Sequence, residues 1–284
     1  METFSDACHL IFLKTDNVSK YLPIIDNPAL YAEFYSAVSE NDEDIRVILH
    51  ENETIGLASV YDGGGDGYLY ILIFAEYRNH GYGYAAAMQA EQQFLSSKPK
   101  EIYTSYSTED ETARQFAEKC GFVQKYASAC MTYHGKRFTL PELPVRQYED
   151  ADYMAAFTLY AEAFHKMRLE TGCFPDSVPK SPSDESRKFW AETRQDRYVY
   201  VADHEIVGYA HLEGSELSSV SIKISQQGKG FGKNFVRYLV NHMMENGSEA
   251  PSLWCVIGNE KARHLYDILG FKEDYRVAFA TKMI

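Results

Sequence analysis

Tyr68 to Ala75 and Leu217 to Ile224 are apolar alternating runs bounded by turn residues, and before each comes a hairpin-like pair, Ile45 to His50 with Thr54 to Tyr61 and Tyr198 to Ala202 with Ile206 to Leu212. Alternation of this kind predicts half-buried strands, and the first two of each trio flank a short polar turn, as hairpins do. Each trio is preceded by a further strand, His9 to Lys14 or Pro144 to Gln147, and by helical segments, Val18 to Ser39 or Asp152 to Arg168. After each trio come a glycine-rich turn, a helical stretch, a short strand (Glu101 to Tyr106; Leu253 to Ile257) and a second helix. The expected class is α/β (α+β), with two mixed sheets flanked by helices. Thr139 to Pro144, with two prolines, reads as the linker between a domain 1–140 and a domain 141–284. Thr171 to Asp184, with three prolines and no periodicity, reads as a loop. Gly63 to Gly67 reads as a flexible connection, since no helix start follows it.

The two halves repeat a motif as well as an order of elements. Arg78-Asn79-His80-Gly81-Tyr82-Gly83 leads, 43 positions on, to Gly121-Phe122, and Gln227-Gly228-Lys229-Gly230-Phe231-Gly232 leads over the same 43 positions to Gly270-Phe271. Agreement of motif, order and spacing marks an internal duplication. A glycine-rich loop that runs straight into a helix presents free backbone N–H groups at the positive end of the helix dipole, and that is an anion site. The segment is not a phosphate-binding P-loop, because Gly232-Lys233 is followed by Asn234 and lacks the required earlier glycine. Nor does its glycine spacing match a dinucleotide fingerprint. Lys223, Lys229, Lys233, Lys261 and Arg263 fall near the second loop; the bland alternative is an ordinary solvated helix face.

A second element adds specificity. Asn259, Ala262, Tyr266 and Gly270-Phe271 are spaced as in the N-x-x-A-x-x-x-Y-x-x-x-G-F pattern of the GNAT acetyltransferases, and the loop at Gln227 resembles that superfamily's Q/R-x-x-G-x-G/A turn. The whole chain thus resembles a tandem GNAT protein. The resemblance implies a sheet splayed at its centre, with acetyl-CoA lying beside the fourth strand of the second half. It further implies that the backbone of Ile222, Lys223 and Ile224 pairs with the pantetheine arm, while Gln227, Gly228, Lys229, Gly230, Phe231, Gly232 and Lys233 wrap the diphosphate. Asn259 and Arg263 are expected to contact the cofactor, Asn259 doubling as a helix N-cap.

Acetyl transfer to an amine needs a neutral amine, a stabilised oxyanion and a proton for the departing thiolate. By the resemblance, Tyr266 is the acid, although the stripe Ala262, Leu265, Tyr266, Leu269 also reads as helix core. Glu216, eleven positions before Gln227, stands where histone-type relatives carry their base, and Glu213 is the reserve. The same counts in the first half fall on Ala117, Asp110 and Gly67, so that half is expected to be catalytically silent.

Composition narrows the partners. A net charge of −13 speaks against a nucleic-acid backbone and favours a cationic acceptor, an amine of a small molecule or peptide held among carboxylates and rings. No apolar run is long enough to span a bilayer and no secretory signal is evident, so a cytoplasmic protein with no membrane partner is expected. Five cysteines without a CxxC pair read as reduced thiols, and neither a metal site nor a catalytic triad is expected. Acceptor, acyl length and oligomeric state stay open at this stage, as does the alternative of a CoA-binding regulatory or structural protein without turnover.

Overall fold

The computed structural model describes residues 10–14, 18–25, 30–31, 34–35, 45–62, 65–95, 97–173 and 178–283. The first half forms β1 (Ile11–Lys14), β2 (Ile45–His50), β3 (Glu53–Asp62), β4 (Gly67–Ile73), α1 (Tyr82–Glu91), β5 (Glu101–Ser107), α2 (Glu111–Lys119) and β6 (Val123–Tyr133). The second forms β7 (Val145–Gln147), α3 (Tyr153–Thr171), α4 (Asp184–Glu192), β8 (Arg197–Ala202), β9 (Glu205–Glu213), β10 (Glu216–Ile222), α5 (Phe231–Glu245), β11 (Ser252–Val256), α6 (Glu260–Leu269) and β12 (Phe271–Met283). All six of the expected segments are therefore strands. Both hairpin turns hold two consecutive residues at positive φ, Glu51 and Asn52 at 50° and 69°, Asp203 and His204 at 50° and 64°. That is the twist-matched turn that two-residue hairpins favour.

Differences from the sequence reading have local causes. Val18 to Ser39 contains the single turns Val18–Lys20 and Leu22–Ile24 and helical residues 30–31 and 34–35; much of the rest lies outside the described residues. So do Cys8, His9, Gly63 and Gly64. Asp184, expected to end a loop, begins α4, because Ser183 caps its N-terminus by accepting from the Ser186 amide at 3.1 Å. Trp190 then carries that helix into the core.

The chain divides into two compact units, residues 1–127 with 276–284, and residues 128–275. Unit 1 has the strand order β1-β2-β3-β4-β5, closed by the end of β12, whose Val277 to Met283 pair antiparallel with Ser107 to Glu101. Unit 2 runs β7-β8-β9-β10-β11, closed by the end of β6, whose Ser128 to Thr132 pair antiparallel with Val256 to Ser252. The units are interleaved, where the sequence suggested a single cut near 140. The strand that follows Gly-Phe in each half completes the sheet of the other unit. In unit 1, Lys282 on that closing strand is held by Glu91 of α1 at 2.8 Å.

Each sheet is covered on both faces. In unit 2, α5 and α6 bury Phe235, Leu239 and Leu269 against Ala210, Leu212, Leu217 and Leu253. On the other face α3 and α4 bury Phe157 and Trp190 against Val199 and Tyr209, with the Trp190 and Tyr209 rings stacked at 4.5 Å. Arg197 is only 2% exposed, yet its guanidinium lies 4.8 Å from the Trp190 ring, and its Nε donates to Thr193 Oγ1 at 2.9 Å. Cys120, Cys130 and Cys255 are free thiols. Among the described residues no helix is long and apolar enough to cross a membrane, and no cluster of His, Cys, Asp or Glu is arranged to hold a metal ion.

Candidate active site

The site begins with a gap in the sheet of unit 2. β10 and β11 run parallel but pair only at Glu216 and Ser252, after which they part. On its other side β10 stays paired with β9 as far as Ile222 and Gly208. From Leu217 to Ile222 the strand thus has a ladder on one side only, and its outer N–H and C=O groups need other partners. A register shift between Leu217 and Ser219 marks a bulge at the mouth of the gap. Such bulges bend a strand and re-aim its side chains.

Directly beyond β10 lies the glycine loop. Gln227 Nε2 donates to the Ile222 carbonyl at 3.1 Å and ties the loop back to the strand. Gly228 and Gly230 have φ of 77° and 89°, which only glycine adopts without strain, and a Cβ at either would meet no atom within 4 Å. Their faces are open. Gly230 caps α5 with no side-chain hydrogen bond, and the first intrahelical bond is from Asn234 to Gly230. The amides of Phe231, Gly232 and Lys233 are therefore free of helical partners and point out of a positive dipole end. These features fit a diphosphate. The cations are less free than the sequence suggested. Lys223 pairs with Glu205 at 2.7 Å, Lys229 donates to Gln226 at 2.9 Å, and Arg263 pairs with Glu273 at 2.9 Å. Lys233 is exposed and has no ion-pair partner among the described residues.

The chemical groups flank the gap from opposite faces. Tyr266, on α6, is half-buried in the core under α5, with its ring 5.6 Å from that of Phe271. Burial, and the thiol of Cys255 nearby, push its phenol above the usual range, so it is protonated at neutral pH. The ring is part of the core, and the hydroxyl has no hydrogen-bond partner among the described residues. Asn259 caps α6, its Oδ1 accepting from the Ala262 amide at 3.3 Å. Glu216 is half-buried and faces the other way. Burial, and then the neighbouring Glu213 carboxylate, raise its pKa. The Cys130 thiol and the Tyr275 phenol feel its charge, and Trp254, 39% exposed, stands edge-on to Tyr275 at 5.6 Å. None of these three was marked by a motif.

Unit 1 repeats the frame without the corresponding tyrosine and glutamate. β4 and β5 pair only at Gly67 with Ile102 and Tyr68 with Tyr103 before they part. Arg78 Nε donates to the Ile73 carbonyl at 2.9 Å, and Gly81 caps α1 at φ 84°, as Gln227 and Gly230 do in unit 2. Asp110 caps α2 as Asn259 caps α6, accepting from the Ala113 amide at 2.8 Å. Gly67 pairs with Asp62 and Ile102 as Glu216 pairs with Glu213 and Ser252, so the two positions are structurally equivalent. A Cβ at Gly67 would lie 2.8 Å from the Phe94 ring, which leaves no room for a carboxylate. Where α6 offers Tyr266, α2 offers Ala117, which lines an apolar cavity of about 50 Å³ together with Leu69, Ile71, Tyr106, Phe116 and Cys120.

Comparison with known proteins agrees with this geometry. The model of the acetyltransferase (GNAT) family matches residues 13–122, and that of the FR47-like proteins matches residues 204–280. The first of these models places residues 13–122 in the acetyltransferase (GNAT) family. The GNAT fold holds over the whole length of the chain. A GCN5-related N-acetyltransferase from Sphaerobacter thermophilus superposes with a TM-score of 0.75 at 15% identity, over 99% of this chain and 97% of that one. A tandem GNAT protein from the clavulanic acid biosynthesis pathway gives 0.63 at 12% identity, over 96% and 98%. A GNAT-family acetyltransferase from Colwellia psychrerythraea gives 0.59 at 12%, over 97% and 99%. No curated protein is matched by sequence. At these identities the structures establish a shared GNAT fold, with no bearing on the acceptor.

Proposed function

We propose that unit 2 transfers an acetyl group from acetyl-CoA to a primary amine of a small molecule or peptide, and that unit 1 is catalytically silent. The observation that carries this reading is the parting of β10 from β11 immediately before a helix N-terminus with open glycines, with Tyr266 and Glu216 on either side of the gap. The gap lets an extended arm lie along β10 to Ile222 and on past Lys223 and Ile224, whose carbonyls already accept from the Gln226 and Gln227 amides, while the amides from Gly228 to Lys233 hold its diphosphate. When bound, the donor supplies an activated acetyl thioester.

The chain's own groups then have defined tasks. Glu216, or a water it holds, takes the proton from the acceptor, whose ammonium form is unreactive. The surrounding carboxylates Glu213 and Glu216 and the rings of Trp254 and Tyr275 suit a cationic acceptor. Tyr266, protonated at neutral pH, donates to the leaving sulfur. Unit 1 lacks both groups for steric and compositional reasons, at Gly67 and Ala117.

Release of free thiol from acetyl-CoA in the presence of a panel of amines tests the reading, with thermal stabilisation by acetyl-CoA measured alongside. Turnover with one or more cationic amines is expected. Stabilisation without turnover of any amine would instead identify a regulatory or structural CoA-binding protein.

A further inference from the structure

The sheet face that carries Glu216 also carries a histidine that the chemistry above leaves unused. His211 lies in β9 opposite Ser219 of β10, beside the bulge where the gap opens. Glu213, two residues along the same strand, shares its face and pairs with Glu216 across the hairpin. His211 is 8% exposed, and its Nδ1 lies 3.1 Å from Glu213 Oε1. That same oxygen accepts from Ser218 Oγ at 3.1 Å, which fixes the carboxylate against the imidazole. Nε2 has no hydrogen-bond partner among the described residues.

A carboxylate beside one ring nitrogen selects the tautomer with its proton there, orients the ring and steadies the imidazolium when it forms. The other nitrogen is left as the acceptor. Besides Glu213, the charges that act on His211 are Arg197 on β8 and Asp196 just before it. Burial first, and then Arg197, lower the pKa, while Glu213 and Asp196 oppose them, and the net direction is down from the ordinary histidine value. The resting ring is therefore neutral at pH 7 and free to receive a proton.

We propose that His211 is the final acceptor of the amine's proton in the unit 2 reaction, with Glu213 as its positioning residue. This rests on the acetyltransferase reading given above. As the new N–C bond forms and the thioester C–S bond breaks, the N–H electron pair stays on nitrogen. The proton passes through Glu216 or a water to His211 Nε2. Tyr266 protonates the leaving sulfur, and exchange with solvent afterwards restores both side chains, so nothing beyond amine and thioester is consumed.

The test is the pH profile of kcat/KM for the full chain, using acetyl-CoA and an amine from the panel that turns over, in the wild type, His211→Gln and Glu213→Gln. Acetyl-CoA binding is measured on each by calorimetry. Expected are a loss of the acid limb and a fall of about 100-fold in His211→Gln, and an acid limb moved down by about 1 pH unit in Glu213→Gln, with donor affinity unchanged in both. Variants that bind donor normally but keep the wild-type limb would overturn the role of His211, whatever their rate, and leave acetyl transfer standing. A wild-type chain that binds no acetyl-CoA would overturn the reading and this proposal together.

Discussion

Tyr266→Phe is expected to lower kcat about 100-fold, the scale of a lost general acid, with no change in the affinity for acetyl-CoA. The substitution removes one oxygen and keeps the ring that packs 5.6 Å from Phe271 in the core under α5. Stability should therefore hold, which separates the chemical role from the structural one. Steady-state kinetics and calorimetry on the same preparation check it. An unchanged kcat would show that the ring serves the core alone, and the proton for sulfur would have to come from another group.

Gly230→Val is expected to weaken acetyl-CoA binding by at least tenfold, about 1.4 kcal/mol. At φ 89° a β-branched residue strains the backbone by about 1–3 kcal/mol, and its Cβ would stand in the open space before the α5 amides. Relief of that strain requires the loop to turn, which takes the amides out of line. Gly81→Val imposes the same strain at the matching turn of unit 1, where φ is 84°. Because Gly67 and Ala117 deny unit 1 both chemical groups, this second variant should keep wild-type turnover per folded molecule. Equal losses in the two variants would place function in both units.

What the sequence revealed is what the backbone itself demands. Gly228 and Gly230 recur as Asn79 and Gly81 because their conformation is left-handed, and such positions show through as residue type. The strands were legible because apolar runs rich in β-branched and aromatic residues stand between turn residues such as Asn52 and His204. The interleaving of the units was not legible. Nothing in Val123 to Tyr133 or Phe271 to Met283 says which strand edge it will join, because register depends on partners distant in the chain. The helix Asp184 to Glu192 was hidden behind prolines and a polar composition, although Ser183 and Ser186 had marked its start.

The site followed the same division. Asn259 and the glycine turn were visible because caps and turns are local. The fates of Lys223 and Arg263 were not, since Glu205 and Glu273 reach them across the fold. His211 and Glu213 sat in view as alternate residues of one strand, yet only the pairing with Ser219 and Glu216 brings them to the gap.

A crystal structure of the chain with CoA is the most direct test of the central claim. The account predicts the diphosphate on the amides of residues 228 to 233, the arm along the free edge of β10, and the sulfur within hydrogen-bond reach of the Tyr266 hydroxyl. A nucleotide seated instead at residues 78 to 83, or a sulfur remote from Tyr266, would contradict it.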